Sequence, residues 1–156
     1  MNKRLFLLLF IVALAAALFL DIRLWRSADA DSRQAYNRGI SRYRQGDLVA
    51  ALGDFQAASA SRGDVTRQAA LYNLGTTHLQ LAAAPGGAVR PGAAEHLRAA
   101  VRSLDAATAL DPADADAVHN LAIARERLAA LQATAAAPAK QAAAPGAPAS
   151  ERRRHD

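Results

Sequence analysis

Three asparagines each stand directly behind an aromatic ring, at Tyr36-Asn37, Tyr72-Asn73 and His119-Asn120, and four histidines, His78, His96, His119 and His155, are scattered among them. The histidines have no mutual spacing that would place them together on a metal, and His78 and His119 read as groove or seam residues. No serine or threonine stands in a nucleophile motif, and no glycine-rich loop follows a strand. The chain has no cysteine, which excludes disulfides, thiol catalysis and cysteine zinc sites. With no catalytic, metal or cofactor set to point to, the sequence reads as that of a non-enzyme. The asparagines then become the informative residues. A carboxamide offers donor and acceptor together, so it can grip the backbone of an extended peptide whatever its sequence. The alternative is that each one bonds helix to helix inside the scaffold.

The elements that carry these residues are helices. Alanine dominates and aromatic residues are few, and alanine gives up no side-chain entropy on entering a helix, so an all-α protein is expected. The chain also repeats itself. Tyr36-Asn37-Arg38-Gly39, Tyr72-Asn73-Leu74-Gly75 and His119-Asn120-Leu121-Ala122 share one pattern; Ala51, Phe55 and Ala58 follow the first with steps of four and three, and Ala100, Leu104 and Ala107 follow the second identically. The second unit is longer by an insertion within Leu81 to His96, whose Pro85-Gly86-Gly87 and Pro91-Gly92 mark a loop, 82–92. Asp31, Asp47 and Asp64 stand where N-caps are needed, and Gly46 can end a helix in the left-handed conformation. Five helices follow: 31–45, 48–61, 65–81, 92–110 and 113–132, the last opened through Asp111-Pro112. Small residues at Gly39, Ala51, Gly75, Ala100 and Ala122 fall where helices must approach closely. Leu48, Leu52, Phe55, Leu74, Leu97, Val101, Leu104, Leu121 and Leu128 fill the seams.

These openings, the "RQGD" turn at Arg44 to Asp47 and the Leu110-Asp111-Pro112 exit resemble the tetratricopeptide repeat family, over about Ser32 to Gln132. Arg38 and Arg42 depart from it, standing where an apolar and an aromatic residue are usual. The resemblance implies a short helical-hairpin array of about two and a half repeats: repeat 1 at 31–61, repeat 2 at 64–112 and a terminal capping helix at 113–132. It also implies that the first helix of each pair lines a concave, peptide-binding groove. That groove would be lined by Arg33, Tyr36, Asn37, Ile40 and Tyr43, then Tyr72, Asn73, Thr76 and Leu79, then His119, Asn120 and Ile123. The family's clamp for a partner's C-terminal carboxylate finds matches in Arg33, Asn37 and Asn73, whereas Asp116 would repel a carboxylate.

The ends differ from this middle. Lys3 and Arg4 precede Leu5 to Leu20, sixteen residues without a polar side chain, which as a helix span about 24 Å, or about 31 Å through Trp25. Residues 1–26 read as an uncleaved membrane signal anchor, with Leu5 and Leu20 bounding the apolar run and Trp25 as an interfacial aromatic. A signal peptide cut near Ala15-Ala16-Ala17 is the competing possibility. The basic flank places the N-terminus inside, so that in a bacterium the rest is a periplasmic domain held by a single pass of the inner membrane. From Ala133 onward the Ala/Pro-rich, basic segment 133–156 reads as disordered. Ser27 to Gln132 holds 11 Arg against 11 Asp and Glu, so the net charge of +5 belongs to the ends and argues against nucleic acid as a partner.

The anchor ending in "DIRLWR", Asp21 to Arg26, followed by an alanine-rich repeat domain, resembles the MxaK family of membrane-anchored repeat proteins encoded with methanol dehydrogenase maturation factors. The "YNRG" and "YNLG" openings and "DADAVHNLAIARERL", Asp114 to Leu128, are also similar to repeat proteins of Bat clusters. The resemblance implies protein partners, among them von Willebrand A domain proteins and a MoxR-type ATPase, and help in maturing a periplasmic quinoprotein, including calcium insertion. Two functions stay open: a tethered protein-protein interaction adaptor, and a structural subunit of a cell-division or cytochrome-assembly complex whose anchor helix makes the contacts. If the anchor is retained, detergent-extracted protein shows the intact mass of the full chain. A soluble product beginning near Leu18 contradicts it.

Overall fold

The computed structural model describes residues 3–83 and 91–142, without the side chains of 5, 6 and 136–142. These residues form five helices and no strand: α1 (Lys3–Arg44), α2 (Leu48–Ala58), α3 (Asp64–Ala82), α4 (Ala93–Leu110) and α5 (Ala115–Ala142). Each helix packs on the next in chain order, and α3 also touches α1 and α5. The result is a row of antiparallel hairpins in which α1, α3 and α5 share one side.

The largest departure from the expected boundaries is at the start. No break separates residues 1–26 from the first repeat; α1 runs through Asp31, which is a helix-interior residue and caps nothing. The reason lies in composition, because no glycine or proline occurs between Lys3 and Gly39, and the polar run Ser27 to Arg33 is helix-tolerant. The exposed Leu7 to Leu24 stretch of this helix is long and apolar enough to cross a membrane, and none of it is buried in the fold.

The α1–α2 turn closes as the sequence indicates. Gly46 has φ +80°, Asp47 N–H reaches back to the Arg42 carbonyl at 3.0 Å and Gly46 N–H to the Tyr43 carbonyl at 3.0 Å, which satisfies the last carbonyls of α1. Asp47 caps α2 by accepting from Ala50 N–H at 3.2 Å. Asp64 is displaced by one position: Gly63 is the N-cap of α3, and Asp64 sits in the first turn paired to Arg67 at 2.6 Å. The start of α5 is displaced by two, to Ala115, because Asp114 rather than Asp111 accepts from the helix, taking Ala117 N–H at 3.0 Å. At its far end α5 continues to Ala142, ten residues into the segment expected to lack order. Residues 143–156, like 84–90 of the inserted loop, lie outside the described set.

Two glycines set the helix spacing. A Cβ on Gly39 would lie 2.7 Å from the Phe55 ring, and one on Gly75 would lie 2.5 Å from Leu104 Cγ. Phe55 and Leu104 are fully buried and stand at equivalent places in the two hairpins. Ala51, Phe55 and Leu74 form one core with Tyr36, Ile40, Tyr43 and Leu52 packed against it. Leu79, Leu97, Ala100, Leu104, Leu121 and Ala124 form a second, flanked by Val101 and Leu128, and Ala35, Ala58 and Ala70 a third with Tyr36 against it. Ala122 is exposed and not at a close approach, because no described helix follows α5 to meet that face.

Arg38 and Arg42 converge on Asp54, which is only 6% exposed. Arg38 Nε donates to Asp54 Oδ1 at 3.2 Å. Arg42 Nη1 lies 2.8 Å from Oδ2 yet donates toward the Ala50 carbonyl, so this second contact is one of charge alone. The pair of arginines thus fastens α1 to α2 by polar means. Both remain nearly half exposed, so solvent screens the gain.

The two glycine classes predict opposite outcomes. Gly75→Ala should destabilise the domain by about 1–3 kcal/mol through overpacking against Leu104. Gly53→Ala, whose Cβ meets nothing within 4 Å, should stabilise α2 by roughly 0.5–1 kcal/mol. Denaturant melts of the two variants check both signs.

Candidate functional site

The side shared by α1, α3 and α5 carries a ladder of amide-to-phenol bonds. Asn73 Nδ2 donates to Tyr36 Oη at 3.2 Å, and Gln80 Nε2 to Tyr43 Oη at 2.6 Å, joining α3 to α1 at two levels seven residues apart. Asn120 Nδ2 donates to Tyr72 Oη at 3.1 Å, joining α5 to α3. Burial pushes the Tyr72 phenol above its ordinary value, and Asp116 and Asp114 add to the effect, so it remains a neutral acceptor.

Above the Asn120–Tyr72 rung the surface opens into a cleft of about 380 Å³. Tyr43, Tyr72, Thr76, Leu79, Asn120 and Ile123, six of the twelve residues expected in a groove, line it together with Gln80, Ala83 and Arg127. The cleft is amphipathic. Leu79 and Ile123 give it an apolar floor, Thr76, Gln80 and Asn120 supply polar groups, and Arg127 supplies a cation with no ion-pair partner among the described residues. Such a surface suits an extended segment bearing one apolar and one acidic group.

The other six expected residues lie elsewhere. Ile40 packs into the first core and Tyr36 lies against Phe55, with ring centroids 6.0 Å apart, because this face of α1 is covered by α2. Asn73 spends its amide on Tyr36 and on the Ala69 carbonyl at 2.8 Å, so it is a scaffold residue. Arg33 pairs with Asp29 at 3.3 Å, while Asn37 and His119 are exposed without lining the cleft. Of the three residues matched to a carboxylate clamp, Arg33 is engaged by Asp29 and Asn73 by Tyr36 and Ala69, while Asn37 is exposed. Of the anchor residues, Leu20 and Trp25 are exposed on α1, and Leu5 lies on the same helix with its side chain outside the described set.

The cleft residues missed in the sequence were within reach of it. Gln80 lies seven after Asn73 and Arg127 seven after Asn120, the step that returns to one helix face. His78 and His96 gave no such signal. Eighteen residues and an insertion apart, they meet across the α3–α4 hairpin with Nδ1 atoms 3.1 Å apart and ring centroids separated by 5.4 Å. One ring donates Nδ1–H to the lone pair of the other, so the contact needs at least one neutral ring. Among the described residues no group of three or more metal-ligating side chains occurs.

No family model, curated protein or solved structure matches the chain.

Burial lowers the His78 pKa from 6.5 to about 4, with His96 and Arg102 adding repulsion. The unfolded chain then binds this proton more readily than the folded one, so the contribution to stability is complete above about pH 6.5. It is lost as pH falls from there toward 4. Urea midpoints of the wild type should drop over that window, and those of His78→Asn should drop less; equal slopes contradict the assignment.

Proposed function

We propose that the chain is a non-enzymatic, membrane-tethered adaptor of tetratricopeptide-repeat type, whose cleft holds an extended segment of a partner protein at the membrane. The observation that carries this reading is the joint lining of one amphipathic cleft by α1, α3 and α5, the first helices of the successive hairpins. The polar groups there, the Thr76 hydroxyl, the Gln80 and Asn120 amides and the Arg127 guanidinium, are of kinds that hold a peptide. The apolar stretch of α1 supplies the tether, which raises the effective concentration of cleft and partner toward each other.

The resemblance to MxaK and Bat-cluster repeat proteins supports a periplasmic setting and a part in maturing a methanol dehydrogenase-type enzyme, with von Willebrand A domain proteins and a MoxR-type ATPase as the partners to look for. A second function is favoured by the continuity of α1: contacts made by its apolar stretch with other membrane helices would pass directly into the array, as in a structural subunit of an envelope complex.

A photo-reactive residue at Ile123 should form adducts with a periplasmic protein in the native host, and Arg127→Glu should weaken them. Exchange of residues 1–26 for an unrelated helical anchor should leave them intact. Adducts lost on anchor exchange but kept in Arg127→Glu overturn the adaptor in favour of the structural subunit. Deleting the gene from a methanol-oxidising host should leave methanol dehydrogenase present but inactive; full activity removes the maturation role.

A further inference from the structure

We propose that the α2–α3 turn is a second membrane contact, seated on anionic phospholipid headgroups beside the anchor. The proposal rests on the reading of α1 as a membrane span. The position of the turn is fixed by Asp29. Its Oδ1 accepts from Ser61 Oγ at 3.1 Å, and Ser61 Oγ in turn accepts from Gly63 N–H at 3.2 Å. A Cβ on Gly63 would lie 3.2 Å from the same carboxylate oxygen, so the turn is pressed against α1 at this level.

Asp29 lies four residues beyond Trp25, about 6 Å along the helix axis. A bilayer adds roughly 5–8 Å of headgroup on each side of its hydrocarbon core. With Trp25 at the interface, the turn is held at headgroup height. The array does not stand clear of the bilayer on a stalk.

The surface at that height has the matching chemistry. Arg62 is exposed and has no ion-pair partner among the described residues, and Arg26 and Arg23, three and six residues before Asp29 on α1, are exposed as well. Val65, at the start of α3, is 84% exposed, so nothing in the fold gives it apolar company. Of the nearby acids, Asp29 pairs with Arg33 at 3.3 Å and Asp64 with Arg67 at 2.6 Å, while Asp21 and Asp31 on α1 are exposed with no ion-pair partner among the described residues. The same end of the array becomes acidic farther from the anchor. Gln68 Nε2 donates to Asp114 Oδ2 at 2.6 Å, which places the α4–α5 turn, with Asp111, Asp114 and Asp116, beside the first turns of α3. An anionic surface attracts the α2–α3 edge and repels the α4–α5 edge, so the array leans onto Arg62 and Val65.

The chain has no cysteine, so single labels are unambiguous. Full-length protein carrying a fluorophore at Leu14→Cys, Val65→Cys or Val49→Cys is placed in bilayers of equimolar phosphatidylcholine and phosphatidylglycerol containing a lipid quencher. Leu14 marks the span and Val49, at the start of α2, marks the opposite end of the array. The label at position 65 should be quenched severalfold more than that at 49, and less after Arg62→Glu or in phosphatidylcholine alone. If position 14 is quenched and 65 behaves like 49, the proposal fails while the span stands. If 14 is also unquenched, the span itself fails and the proposal with it. Quenching at 65 that is indifferent to both Arg62→Glu and lipid charge overturns the anionic contact.

Discussion

The spacing of the hairpins depends on two missing methyl groups. At Gly39 and Gly75 the helix backbone is bare, and the fully buried Phe55 and Leu104 of the next helix occupy the room a side chain would take. Interior packing has no slack to absorb a shift of that size, so this contact fixes how far α2 stands from α1 and α4 from α3. From that spacing follow the alanine contacts at Ala51, Ala58, Ala100 and Ala107, all with no exposed surface. The tyrosine ladder follows too, because Tyr36 and Tyr43 flank Phe55 and present their hydroxyls to Asn73 and Gln80. The cleft is what this ladder leaves open at its α3–α5 end.

A second constraint joins this array to the membrane-length segment. Because α1 is one helix from Lys3 to Arg44, the residue that begins the ladder and the residue that marks the end of the apolar run belong to a single element. The orientation of the cleft about the helix axis is then set by residue count, and Asp29 and Asp54 brace the same helix against α2 and its following turn. An array on a flexible linker searches a volume; one fused in helical phase presents its cleft at one height and one azimuth.

Much of this was legible in the sequence, and the failures have physical causes. Helix type, the Gly46–Asp47 turn, the close approaches at Gly39 and Gly75 and the seam residues from Phe55 to Leu121 followed from local chemistry and the repeat. Asp31 misled because an aspartate marks a helix start only when something before it ends a helix, and nothing there does. Ile40 and Tyr36 fit a groove by type and spacing, but Ile40 packs into the core under α2, and Tyr36 is held between the Phe55 ring and the Asn73 amide. Asn73 and Asn120 could serve scaffold or ligand equally well by type, and only the presence of a phenol within reach decided for the scaffold bond. The His78–His96 contact needed tertiary structure, since the insertion between them removes any regular spacing.

The central claim, that the membrane-length apolar stretch and the cleft residue Tyr43 belong to one uninterrupted helix, is tested most directly by the distance between spin labels at Arg26 and Arg44 in the bilayer-embedded protein. Eighteen residues of α-helix predict about 27 Å between backbone positions and a narrow distribution. A broad distribution, or one centred well below that length, would mean a break between Ser27 and Arg33 and would contradict the account.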